Sequence, residues 1–273
     1  MSKMKIGVFD SGYGGLTILE KIRERLLEYD YLYLGDNARA PYGTRSFEVI
    51  YEYTLQAVRW LESQGCRLII LACNTASAKA LRTIQQRNIN PDRLRVLGVI
   101  RPTVEAVPLL TKTGHVGILA TPATVSSESY VLELNKLSHC LTVTQQACPM
   151  WVPLIEAGEH LSAGADYFVD KYLHELLAKD PQIDTLILGC THYPLLLEKI
   201  EQRLANDIST ICQGAIVADS LADYLRRHTD IADDLSTSGT CRFVTTESAT
   251  KFRDSASLFL SSPISVEHIE LPD

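Results

Sequence analysis

The chain has no apolar run long enough to cross a bilayer: segments such as Leu68–Cys73 and Thr185–Cys190 fall far short of the roughly 20 residues that a spanning helix requires. It has no excess of basic charge. Against 26 basic residues stand 33 acidic ones, and the net charge of −7 leaves no positive field to hold a polyanion, so neither membrane nor nucleic acid is an expected partner. It has no C-x-x-C pair. Its seven cysteines, at 66, 73, 140, 148, 190, 212 and 241, lack the density of a disulfide scaffold and fit a reducing cytoplasm. Cys190 with His192 is a close Cys/His combination but too little for a zinc site. A strand-like segment begins already at Lys5, from which no signal peptide is expected, and no Pro/Gly/Ser-rich linker or charge block divides the chain.

What is present is 273 residues, 46% of them hydrophobic, enough to build one or two compact domains. Short apolar runs recur at Lys5–Phe9, Tyr31–Leu34, Leu68–Ala72, Val96–Gly98, His115–Ala120, Leu141–Thr144, Thr185–Leu188, Arg242–Thr245 and Val266–Ile269. Helix-length segments separate most of them, as at Leu16–Leu27 and after Ser46, where Ile50, Tyr53, Ala57, Val58 and Leu61 fall at helical spacing. Alternation of this kind predicts an α/β fold with a mainly parallel, doubly wound sheet. A weak internal echo joins Leu68–Leu81 (LIILACNTASAKAL) to Leu186–Ile200 (LILGCTHYPLLLEKI), each an apolar strand running into Cys, a polar pair and a helix.

In open α/β sheets ligands bind beyond the carboxyl ends of the strands. Four loops here occupy such places: Asp10-Ser11-Gly12, Pro41-Tyr42-Gly43, Cys73-Asn74-Thr75 and Cys190-Thr191-His192. They are rich in hydroxyl and backbone donors and suit a small anionic molecule such as a carboxylate. The glycine loop is not a dinucleotide fingerprint, because Thr17 stands where G-x-G-x-x-G needs its third glycine, and no Walker G-K-[ST] follows a strand. Cys66, Cys140, Cys148, Cys212 and Cys241 are read as small buried hydrophobes. Cys73 and Cys190 differ. Each ends an apolar strand at an expected helix start, where free N–H groups favour a thiolate, and each is followed by hydrogen-bonding residues. Two thiols across a cleft permit stereoinversion, one removing a proton from a carbon while the other supplies one from the opposite side. Asp10 and His192 are placed to tune or shuttle protons for a neighbouring cysteine. Glu156 lies in an otherwise apolar stretch and reads either as a further assisting group or as an exposed carboxylate at a helix start. No lysine lies in the four loops to form a Schiff base, and no ligand cluster is present, so no cofactor and no metal is expected.

Through Asp10-Ser-Gly-x-Gly-Gly, Asp36–Gly43 (DNARAPYG), Ala72-Cys-Asn-Thr-Ala76, Val116–Tyr130 and Gly189-Cys-Thr-His-Tyr-Pro194, the sequence resembles the cofactor-independent glutamate racemases of bacterial cell-wall synthesis, within the aspartate/glutamate racemase superfamily, over almost the whole chain. Asn37 stands where the family more often has threonine. The resemblance implies two pseudo-symmetric, doubly wound α/β lobes enclosing glutamate, the first formed by 1–97 with 209–273 and the second by 98–208. Cys73 would act on the D-enantiomer and Cys190 on the L-enantiomer, assisted by Asp10, His192 and Glu156. Substrate would be held by Asp10, Ser11, Tyr42, Gly43, Asn74, Thr75, Thr191 and His192, joined by Thr121 and Thr124. A homodimer is left open. Only four residues precede the first strand, from which obligate activation by a cell-wall nucleotide precursor is not expected. Three other readings compete: an aspartate racemase with the same two-thiol logic; a thiol hydrolase with one nucleophilic cysteine and His192 as base; and a non-catalytic amino-acid binding protein, which would need the cleft but not both thiols.

Overall fold

Tyr31–Gly35 and Thr185–Gly189 are buried at every position, the mark of strands covered by helices on both faces instead of one, and they lie at the centre of two parallel sheets. The computed structural model describes residues 4–138 and 140–272. Its ten strands are β1 (Lys5–Asp10), β2 (Tyr31–Gly35), β3 (Cys66–Leu71), β4 (Arg95–Gly98), β5 (His115–Ala120), β6 (Thr142–Ala147), β7 (Thr185–Gly189), β8 (Ser209–Ile211), β9 (Cys241–Thr245) and β10 (Val266–His268). One sheet runs β10-β9-β2-β1-β3-β4 and the other β6-β5-β7-β8, every pairing parallel.

The order β2-β1-β3-β4 in the first sheet is repeated as β6-β5-β7-β8 in the second. Each sheet therefore reverses its winding at one place, between β1 and β3 or between β5 and β7, and there the loops part to leave a crevice. Cys73 follows β3 and Cys190 follows β7, so the sequence echo is a topological one.

The nine expected strands are present. The tenth, β8, was not legible, since of its three residues only Ile211 is buried. Its pairing with β7 (Thr185↔Ser209, Leu186↔Thr210, Ile187↔Ile211) puts 209–211 in the second sheet, so the division expected at 209 falls too early. The helix expected after Ser46 is Phe47–Ser63, capped by the Ser46 hydroxyl, which accepts from the Val49 amide at 3.4 Å; it buries Ile50, Ala57, Val58 and Leu61, with Tyr53 half-buried. All seven cysteines are free thiols; Cys140 is exposed and Cys212 and Cys241 are half-buried, departures from the buried places expected of them. Among the described residues no helix is long and apolar enough to cross a membrane.

One apolar core runs continuously between the sheets, joining Ile6 and Val8 of β1 and Leu68 and Ile70 of β3 to Leu119 of β5 and Leu186 and Leu188 of β7. Separate cores cover the outer faces, one around Phe9, Leu34 and Leu71, the other around Val116, Ile118 and Ile187. The helix Gln213–Arg227 packs on both Gly15–Arg25 and Ile100–Ala106 and so ties the two halves together. At the seam a Cβ on Gly14 would lie 2.3 Å from Thr191 Oγ1 and 2.4 Å from His192 Nδ1, closer than real atoms approach. Gly14→Ala must therefore separate the halves locally. We expect it to cost about 1–3 kcal/mol in denaturant unfolding; an unchanged midpoint would show that the seam yields freely.

Candidate active site

Both switch points open onto one cleft of about 590 Å³, counted with its mouth. Cys73 and Cys190 line it together, at 5% and 6% exposure, so the two sulfurs share a site nearly free of bulk water. Ser11, Tyr42, Gly43, Asn74, Thr75, Thr121, Glu156, Thr191 and His192 line it as well. Two of the expected residues do not. Asp10 is buried behind the wall, where Oδ1 accepts from the Gly12 amide at 2.8 Å and Oδ2 from the Thr191 hydroxyl at 3.4 Å. Thr124 is buried behind Thr121, which donates to its hydroxyl at 3.1 Å.

The two thiols have different surroundings. Cys73 is the cap of the short helix Asn74–Lys79: its sulfur accepts from the Ala76 amide at 3.4 Å and lies 3.3 Å from the Ser11 hydroxyl. Those donors favour a thiolate, as the sequence reading expected. Burial outweighs them, and with the nearby Asp10 pushes the thiol up to about 12, so Cys73 carries its proton at neutral pH. Cys190 is followed by Thr191, His192 and a 3₁₀ turn, Tyr193–Leu196, in place of the expected α-helix start. Its partner is His192, whose Nδ1 lies 3.9 Å from Sγ and whose Nε2 lies 3.0 Å from Glu156 Oε1.

Burial alone would discharge His192, but Cys190 and Glu156 overcome it and raise the imidazole to about 10. Burial also raises Asp10, with His192 acting against it. Glu156 is the last residue of the helix Trp151–Glu156, not the first of one, and its side chain is 25% exposed. A helix end repels a carboxylate, so the His192 contact is what holds it there.

The flanks of the cleft are pinned from both sides. On one, the Thr17 hydroxyl donates to the Thr191 carbonyl at 3.1 Å. On the other, the Thr75 and Thr121 hydroxyls lie 2.9 Å apart and the Ala123 amide donates to the Gly43 carbonyl at 2.9 Å. Gly43 is needed there, since a Cβ would stand 2.9 Å from that of Thr121. The Tyr42 phenol is spent on Asp36, which also accepts from Arg39 Nε at 2.7 Å and the Thr246 hydroxyl at 2.8 Å; Tyr42 offers the cleft its ring. Asn37, at the position that departs from the family pattern, accepts from the Thr245 hydroxyl at 3.2 Å.

The lining includes no lysine or arginine. Carboxylates entering would meet hydroxyls, amides and His192, and a pyridoxal Schiff base would find no amine to form on. Among the described residues no three His, Cys, Asp or Glu side chains converge as metal ligands. Sequence reasoning missed several contributors. Phe259 packs edge-on against His192 with ring centres 5.4 Å apart, and Cys148, Pro149, Val152 and Pro153 form one wall. Pro153 belongs to the apolar stretch that ends at Glu156; nothing local marked Val152 or Phe259.

Residues 6–221 match the family model of the Asp/Glu/Hydantoin racemases. The chain is 42% identical over 274 aligned residues to the glutamate racemase of Ruegeria sp. (strain TM1040), covering 97% of this chain and 99% of that one. Among solved structures it is similar to a glutamate racemase isoform from Bacillus anthracis, with 35% identity, a TM-score of 0.91 and coverage of 100% and 99% of the two chains. It is similar also to the Francisella tularensis glutamate racemase solved in complex with D-glutamate, with 34% identity, a TM-score of 0.87 and coverage of 99% of each chain. The family model over most of the chain, this identity over its full length and the shared fold make the chain a member of the glutamate racemase family.

Proposed function

We propose that the protein interconverts L- and D-glutamate without a cofactor, by proton removal at Cα on one face and proton return on the other. The observation that carries this reading is the pair of thiols, Cys73 and Cys190, delivered into one cleft by equivalent switch points of two like-ordered sheets. The Francisella relative's complex with D-glutamate supports the substrate. Cys190 works on the L-enantiomer and Cys73 on the D-enantiomer. With L-glutamate bound, Cys190 as thiolate takes the α-proton while Cys73, held protonated, returns one from the opposite face; the reverse reaction exchanges the roles. His192, held charged by Glu156, stabilises anionic sulfur at Cys190 as the proton comes and goes, and Asp10 acts on Cys73 from behind the wall. Hydroxyl and amide groups of Ser11, Asn74, Thr75, Thr121 and Thr191 receive the substrate's carboxylates.

We place the enzyme in the cytoplasm, where its free thiols stay reduced, as a source of D-glutamate for peptidoglycan. The first lobe is taken as 1–97 with the chain after β8, and the second as the chain from 98 through β8.

The two enantiomers have equal free energy, so kcat/KM must be equal in the two directions for the parent and for every variant. A defect on one face is therefore invisible in the ratio of racemisation rates and must be read by α-proton exchange. In deuterated water the parent should racemise L-glutamate with one deuterium gained at Cα. Cys73→Ala should abolish racemisation yet exchange L-glutamate with retention, and Cys190→Ala should do so for D-glutamate. Racemisation of aspartate in place of glutamate, or normal racemisation by either alanine variant, would overturn the assignment.

His192 gives a test through stability. Its folded-state value, about 10 against the usual 6.5, means that the folded protein binds the extra proton between these limits. The stabilisation is complete below about 6.5 and is lost as pH rises through about 10. The parent should thus lose its stability advantage over His192→Gln across that window in denaturant titrations. An advantage that grew with pH would mean that His192 is neutral in the fold.

A further inference from the structure

Asn74, the residue after Cys73, is 2% exposed, and its side chain is held by two others that no expectation included. Its Nδ2 donates to Gln213 Oε1 at 2.6 Å, and its Oδ1 accepts from the Tyr130 hydroxyl at 2.7 Å. Gln213 Nε2 in turn donates to Tyr130 Oη at 2.9 Å and to Thr103 Oγ1 at 2.9 Å, while the Thr103 hydroxyl donates to the Val99 carbonyl at 2.8 Å. Asn74, Gln213 and Tyr130 thus form a closed ring in which each gives one hydrogen to the next. All three side chains are buried, as is Thr103.

The ring opposes rotation of the Asn74 amide by itself. If the Asn74 amide were turned over, its NH₂ would face the Tyr130 hydroxyl and its carbonyl would face the Gln213 carbonyl, leaving two buried acceptors opposed. Counting hydrogens, Gln213 spends both of its own and Thr103 its one, whereas Asn74 keeps one Nδ2 hydrogen unspent. Asn74 lines the cleft, which has no arginine or lysine for a carboxylate. We propose that Gln213 is a positioning residue for substrate: through the ring it fixes the Asn74 amide with a free N–H donor for a glutamate carboxylate. Gln213 begins the helix that packs on both halves of the molecule, and Tyr130 and Thr103 come from helices beside the second sheet, so the same ring joins Asn74 to both cleft walls.

This inference rests on the glutamate reading, and its test separates the two. Gln213→Met fills a similar volume without the polar atoms; Tyr130→Phe opens the ring by removing one oxygen. Each should raise KM for both enantiomers by about tenfold, with a much smaller change in kcat, the size expected for loss of one well-placed hydrogen bond. The double variant should be little worse than either single one, because a ring is broken once. Thr103→Val removes only the outer bond and should leave KM within about twofold, a readout that general loosening of the core would not spare. Calorimetric titration with racemic glutamate, whose composition the enzyme leaves unchanged, gives an apparent dissociation constant apart from turnover. An unchanged KM and dissociation constant in both ring variants would overturn the proposal, as would a rise of equal size in Thr103→Val. Failure of the parent to racemise glutamate would overturn the functional reading, and the titrations would then judge the ring by binding alone. Should Gln213→Met not fold, Tyr130→Phe decides.

Discussion

The site depends on the contact between the turn after β1 and the loop after β7. Gly14 has no side chain because Thr191 and His192 occupy the space a methyl group would need, and the Thr17 hydroxyl donates to the Thr191 carbonyl across the same seam. Asp10 reaches over it to the Thr191 hydroxyl, and Glu156 closes on the Gly12 turn. This contact puts the end of β7 against the end of β1, and thereby brings Cys190 into the cleft that Cys73 lines. Close packing makes such a seam stiff, since a displacement of a few tenths of an ångström is felt by every neighbour.

Enclosure then decides the protonation of the groups inside. Two sulfurs and an imidazole share a volume with little water, the Glu156 carboxylate at its edge and Asp10 behind its wall, and there an isolated charge is costly and a paired one is tolerated. Cys73 has hydroxyl and amide neighbours and no cation, and it is held as the thiol. His192 lies between Cys190 and Glu156 and is held charged. The resting site is therefore unequal, a proton donor on one wall and a charged histidine beside the sulfur on the other. The histidine's orientation is fixed further by the ring of Phe259, which comes from the end of the chain to the middle of the site.

Much of this was legible because the signals were local. An apolar run stopping at Cys, then Asn-Thr or Thr-His, marks a strand end with polar work to do, and the two such places in the chain are the two cleft walls. Strand β8 was not legible, since Ser-Thr-Ile has one buried residue and no periodicity to detect. Gln213 could not be found, being 139 residues from Asn74 in sequence and meeting it only when the fold closes. Asp10 was recognisable as a carboxylate at a strand end, but its direction, away from the cleft and toward the Gly12 amide, is set by the turn geometry of its neighbours. The Cys190 loop was expected to open an α-helix; Pro194 and the His192 contact leave a 3₁₀ turn there instead.

The repeat in topology and the inequality in chemistry have a common explanation. Duplicated strand order brings two switch points to one cleft, as the proposed inversion at one carbon would require, because donor and acceptor must then approach from opposite sides. Nothing in that requirement asks the two sides to be alike. Equal free energies of the enantiomers force equal kcat/KM in the two directions whatever the environments of the sulfurs, so an unequal pair gives the same overall rate constant both ways. The loops after β3 and β7 were free to differ, one as a helix cap with hydroxyl and amide partners and the other as a turn with a histidine. What the proposed inversion asks of the shared cleft is that both loops deliver a thiol into it, and both do.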